Sequence, residues 1–173
     1  MSRFLVPLVV FLVFIPIFLV ALFRDPSEIP SPFIDEPAPA FELPTLRDPA
    51  RIVSNADIEG RAVLVNVWAT WCVGCREEHE FLMQLARSEV VPIIGINWRD
   101  NRDDALQWLE ALGDPYEFSG YDEQNLVGID WGVYGAPETF LVNEEGVVVY
   151  KHLGPLDEAT WQREFVPRLD GES

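Results

Sequence analysis

Two cysteines occur in the 173-residue chain, Cys72 and Cys75, with only Val73 and Gly74 between them. A disulfide scaffold needs pairs spread along a chain, because a loop this short removes almost no chain entropy. The pair is therefore suited to chemistry rather than to stapling. It follows directly on the apolar, β-branched run AVLVNVWA (62–69), which reads as a strand buried on both faces. It precedes a stretch in which Phe81, Leu82, Leu85 and Ala86 recur at helical spacing. At such a strand-to-helix turn Cys72 stands at the helix amino terminus, where unpaired N–H groups and the helix dipole favour a thiolate. Cys75 lies one turn on, at a Cα separation of about 5–6 Å, within disulfide range. Cys72 then attacks, and Cys75 resolves the resulting mixed disulfide.

Other chemistries of the same residues compare poorly. A zinc site could use Cys72, Cys75 and His79, since Cys75 and His79 share a helix face, but only His152 is left as a fourth ligand. Haem attachment requires a histidine directly after the second cysteine, and Arg76 stands there. Inert buried thiols would leave the flanking Trp68, Thr70 and Trp71 without purpose. No metal and no cofactor is called for.

The elements that must position the pair follow from periodicity. A second strand, VVPIIGINW (90–98), leads through a polar turn into a helix over 105–112, then a short strand near 116–119 and a helical turn over 124–131. ETFLVN and VVVYKHLG, joined by Glu144-Glu145-Gly146, read as a hairpin, and a last helix runs from Asp157 to about Leu169. Strand-helix alternation followed by an antiparallel hairpin predicts an α/β fold, a mixed central sheet with helices on both faces. Trp98, Trp108, Trp131 and Trp161 are expected in packing roles. Asn97, Arg99 and Asp100 receive no role.

Residues 4–23 carry no charge. Twenty helical residues span about 30 Å, the thickness of a bilayer core. The expected organisation is a transmembrane anchor (1–24), a Pro-rich linker of extended polyproline character (25–40) and one domain (41–173). Arg3 on one side of the anchor and Arg24, Asp25 and Glu28 on the other are read as amino terminus inside, domain outside. The net charge of −17 repels nucleic acid and anionic lipid.

The segment NVWATWCVGCREEH, with GVYGAPETFLVN and the upstream PAFELPTL, resembles the membrane-anchored thioredoxin-like proteins of cytochrome c maturation, the DsbE or CcmG type. The resemblance implies a thioredoxin-like fold with a central strand-helix insertion. It implies a cis proline at Pro137 facing the disulfide, with Trp71, Ala136 and Pro137 contacting the partner, and Glu78 and Glu138 as acids near the cysteines. Asn66 occupies the place of the buried aspartate of ordinary thioredoxins, so proton handling falls to a glutamate. Val73-Gly74 departs from the Pro-Thr often found between the cysteines of this group. The implied activity is reduction of a CxxC disulfide in an apocytochrome c or a haem-ligation protein. It takes place in the periplasm from a single-pass anchor in a bacterial inner membrane, and a membrane thiol reductase is the electron donor. The rival readings are a general extracytoplasmic thiol reductase for copper-site assembly or protein repair, and a CxxC/His metal chaperone.

Overall fold

The computed structural model describes residues 33–171, together with Pro7, residues 10–16 and Phe18 of the amino-terminal segment. The chain divides into two units, Met1–Pro30 and Ser31–Ser173. In the first, the described residues are helical and expose apolar side chains, Phe11, Phe14 and Phe18 foremost. Most of the expected membrane span lies outside the described residues, and among these no helix is long and apolar enough to cross a membrane.

In the second unit, short strands β1 (Glu36–Pro37), β2 (Glu42–Pro44) and β3 (Ile52–Ser54) precede the central strand β4 (Val63–Trp68). Helix α1 (Val73–Ser88), strand β5 (Ile93–Trp98), helix α2 (Arg102–Leu112), strand β6 (Phe118–Asp122) and the short helix α3 (Leu126–Asp130) follow. The hairpin β7 (Glu138–Val142) and β8 (Val147–Leu153) leads into α4 (Glu158–Thr160), a π turn (Trp161–Phe165) and α5 (Val166–Leu169). The six-stranded sheet has the order β1-β8-β7-β4-β5-β6, with β4, β5 and β6 parallel and β7, β8 and β1 antiparallel to their neighbours. This is the thioredoxin-like mixed sheet, with α2, β6 and α3 lying between β5 and β7 in the chain.

Side chains alternate across a strand, so each strand feeds two cores. Val63, Val65 and Val67 of β4 pack with Ile94, Ile96, Phe140, Val142 and Trp131 on one face. Leu64 and Trp68 pack with Leu82, Leu85, Trp108, Leu141 and Phe165 on the other, beneath α1 and the carboxyl-terminal helices. The four tryptophans expected to pack are all buried.

Several boundaries differ from expectation. The strand expected near 116–119 starts at Phe118, because Tyr116 turns its ring into the core against Trp68, 5.5 Å between centroids. The last helix is broken by the π turn ahead of Pro167, whose missing N–H cannot bond four residues back. The end of the Pro-rich linker is not free polyproline. Glu36–Pro37 extends the sheet along β8, and β2 and β3 form a separate hairpin bridged to β6 at Thr45 and Gly120.

Candidate functional site

Six consecutive buried residues make β4 a rigid rod, and the chain leaves it through Ala69, Thr70 and Trp71 to enter α1. Cys72 is the N-cap of α1, and its Sγ accepts a 3.0 Å hydrogen bond from the backbone N–H of Cys75. The two cysteines form a disulfide, S–S 2.07 Å with a Cα separation of 5.3 Å. In this oxidised form Cys72 is 4% and Cys75 3% exposed, so burial does not distinguish them. The cap does, because among the described residues the Cys72 sulfur alone of the two receives an N–H of the first helical turn.

The turn before Cys72 is held by the loop after β5. The Asp100 carboxylate accepts from the Thr70 N–H (2.7 Å), the Thr70 hydroxyl (2.6 Å), the Asn97 amide (2.9 Å) and the Asn101 N–H (2.9 Å). The Trp71 indole donates to the Arg99 carbonyl (3.1 Å) and its ring packs on Trp98, leaving Trp71 half exposed beside the disulfide. Asp100, which received no role from the sequence, is thus a site residue, and it is what holds the flanking Thr70 in place. They stand thirty positions apart, so no local pattern joins them.

The Ala136–Pro137 bond is cis. The loop that carries it touches the cysteine turn, for a Cβ on Gly74 would stand 2.9 Å from Pro137 Cδ and 3.1 Å from Pro155 Cγ. The Pro137 carbonyl accepts from Gly154 N–H at 3.0 Å. Ala136, just before it, is half-buried.

Glu78 lies on the face of α1 that meets the sheet and is 1% exposed. Its carboxylate accepts from the Asn66 amide (2.9 Å) and the Leu156 N–H (2.8 Å). Asn66 also donates to the Thr139 hydroxyl (3.0 Å) and accepts from the Tyr116 hydroxyl (2.8 Å). Burial pushes the Glu78 carboxyl up to about 7, against the opposing pull of these two donors. The same burial, with the Glu78 charge nearby, raises the Tyr116 phenol well above its ordinary value. Cys75 and Glu78 are three residues apart on one buried helix face.

Glu138 is placed differently from the expectation. It pairs with Val67 across β4 and β7, and directly opposed residues share a face. That face is the one turned away from α1. Its carboxylate accepts from the N–H groups of Tyr134 (2.8 Å) and Gly135 (3.0 Å) and forms an ion pair with Lys151 Nζ at 2.9 Å. Glu138 thus holds the loop that carries Pro137.

The histidine of the alternative metal set is also engaged elsewhere. His79 contacts the Gly113 carbonyl (3.2 Å) and accepts from the Trp108 indole (3.4 Å), and burial holds its imidazole below the ordinary range. Among the described residues, no group of His, Cys, Asp and Glu is arranged to hold a metal ion.

The Redoxin family model matches residues 34–164. The chain is 49% identical over 166 residues to the thiol:disulfide interchange protein DsbE of Allochromatium vinosum, covering 96% of this chain and 92% of that protein. It is 41% identical over 170 residues to the DsbE of Escherichia coli K12, covering 94% and 91%. In fold it resembles the crystal structure of a secreted thiol-disulfide isomerase from Corynebacterium glutamicum, with a TM-score of 0.68 at 22% identity over 86% of this chain and 96% of that one. A helix-capped CxxC disulfide touched by a cis-proline loop is what such an interchange protein needs, and the chain accordingly belongs to the Redoxin family, among its DsbE-type members, as a thiol-disulfide oxidoreductase.

Proposed function

We propose that the chain is a dithiol reductant for CxxC disulfides of apocytochrome c or of a haem-ligation protein. In this reading it acts in the periplasm from an amino-terminal anchor in the inner membrane. The observation that carries the reading is the capped Cys72 sulfur beside the Ala136–Pro137 loop. Haem is joined only to free thiols, so a CxxC segment oxidised by its compartment must first be reduced.

The Cys72 thiolate attacks one sulfur of the partner's disulfide. That S–S bond breaks, the partner's other sulfur leaves as a thiolate, and a mixed disulfide joins the two chains. Cys75, deprotonated as it reacts, attacks the Cys72 sulfur and expels the partner's remaining thiolate. Two electrons leave the chain, and the Cys72–Cys75 disulfide is the product. Glu78, held near neutrality by burial, is the proton acceptor for Cys75. Trp71 and Ala136 border the approach of the partner, whose backbone would lie against the N–H and C=O of Ala136 in strand fashion. A membrane thiol reductase returns the electrons.

Anchoring is supported by the uncharged run 4–23, whose described residues are helical and expose apolar side chains. Fractionation of cells should find the intact chain with the membranes. A soluble chain beginning near Asp25 would contradict the anchor. For the substrate, the reduced protein should be mixed with two disulfide-closed peptides, one with the CxxCH pattern and one with a copper-site dithiol pattern. The reading expects about tenfold or greater preference for the CxxCH peptide, whereas equal rates favour a general thiol reductase.

A further inference from the structure

The chain contains a single lysine, Lys151, in the middle of the apolar strand sequence VVVYKHLG. A lone ammonium in a strand normally reaches solvent, because desolvating it is costly unless it is paired. Here the side chain is only 2% exposed. The register pairs Lys151 with Phe140 across β7 and β8, on the sheet face turned away from α1.

Among the described residues, the polar and ring contacts of its side chain fall on one segment, residues 132–140. Nζ donates to the Gly132 carbonyl at 2.8 Å, stands 2.9 Å from Glu138 Oε2, and lies over the rings of Tyr134 (4.5 Å) and Phe140 (5.0 Å). The other Glu138 oxygen accepts the N–H groups of Tyr134 and Gly135. Cation and carboxylate together therefore fix three backbone groups of the loop that ends in Pro137, and that loop abuts Gly74 between the two cysteines.

We propose that Lys151 is a positioning residue for the oxidoreductase reaction, acting through Glu138 to hold the Gly132–Pro137 loop in the shape that receives the partner's backbone. It touches neither sulfur. Its effect belongs to docking of a polypeptide disulfide and not to the reactivity of the cysteines. The inference rests on the disulfide exchange activity and is independent of which polypeptide is the natural partner.

The test uses the full chain and two oxidants, a disulfide-closed CxxC peptide and a small symmetrical aromatic disulfide that has no backbone to dock. Lys151→Met should raise KM for the peptide about tenfold with kcat changed less than twofold. The rate with the small disulfide and the equilibrium constant with glutathione should both stay within twofold of the parent. The double variant Glu138→Gln/Lys151→Met removes both charges, so no buried carboxylate is left unpaired. Its glutamine oxygen can still accept from Tyr134 and Gly135 while Gly132 lacks its donor, and the peptide KM should rise about threefold. The double variant decides the matter alone if Lys151→Met fails to fold. An unchanged peptide KM in the folded variants, or equal losses with both oxidants, overturns the proposal. A parent protein that reduces the small disulfide but not the peptide would contradict the reading of function instead.

Discussion

The amide of Asn66, at the centre of β4, donates a 2.9 Å hydrogen bond to the carboxylate of Glu78 on α1. Strand and helix thereby meet at a titratable group three residues beyond Cys75, and Tyr116 and Thr139 complete the hydrogen bonding of the asparagine. Because Asn66 is neutral, it can orient the carboxylate without repelling its charge.

Glu78 should give the fold a specific pH dependence. Its native pKa, near 7, lies above the ordinary carboxylate value of 4.5. Between those values the native state binds the proton and the unfolded chain does not. The contribution of Glu78 is thus fully present below pH 4.5 and is lost as pH rises towards 7. The shift corresponds to about 3 kcal/mol. Urea unfolding of the parent and of Glu78→Gln from pH 4.5 to 8 should show the parent losing up to about this much relative to the variant. Parallel pH profiles would remove Glu78 as the raised group.

Gly74 offers a test of the contact between the cysteine turn and the proline loop. In an open helix, Gly→Ala stabilises by about 0.5–1 kcal/mol. Here the new methyl would stand 2.9 Å from Pro137 Cδ, and proline rings yield little. Gly74→Ala should therefore lose about 1–3 kcal/mol, the range of overpacked sites, and react more slowly with a peptide disulfide. A raised Tm would show that the loop does not press on the turn.

The Asp100 clamp should prove as important as a core contact. Asp100→Ala leaves the N–H groups of Thr70 and Asn101 and the Asn97 amide without their acceptor. The expected loss is about 2–4 kcal/mol in denaturant unfolding, at about 1–3 kcal/mol per stranded buried group less what water recovers. The Cys72 thiolate of the variant should also react several-fold more slowly with an alkylating reagent, because the turn that presents it is no longer fixed. Unchanged stability together with an unchanged alkylation rate would reduce the clamp to a surface feature.

Much of this arrangement was legible in the residues. AVLVNVWA followed by WCVGC placed Cys72 at a helix entrance, and that is where it caps α1. Three apolar strand signals and the hairpin defined the mixed sheet. Less legible was which face each polar residue serves. Glu138 sits beside Pro137 in sequence, yet the alternation Glu138, Phe140, Val142 puts it with the far core, whereas Thr139 shares a face with Asn66. The family resemblance implied an acid near the cysteines, and strand alternation puts this side chain on the far face. Lys151 was passed over because a lysine in a strand reads as a solvated side chain, and only the partner strand reveals its burial. The clamp from Asp100 to Thr70 joins residues thirty positions apart, a distance across which no local pattern carries a signal.

Trapping of the mixed disulfide separates the attacking cysteine from the resolving one. The Cys72 sulfur receives the N–H of the first helical turn, and among the described residues the Cys75 sulfur has no such donor, so Cys72 should be the attacking thiolate and Cys75 the resolving one. Expressed in the periplasm, Cys75→Ser should accumulate a disulfide-linked complex with the natural partner, identified by mass spectrometry as a CxxCH-bearing apocytochrome or a cysteine-containing haem-ligation protein. Cys72→Ser should trap little under the same conditions. Equal trapping by both variants, or trapping by Cys72→Ser alone, would contradict the assignment of the nucleophile on which the whole account depends.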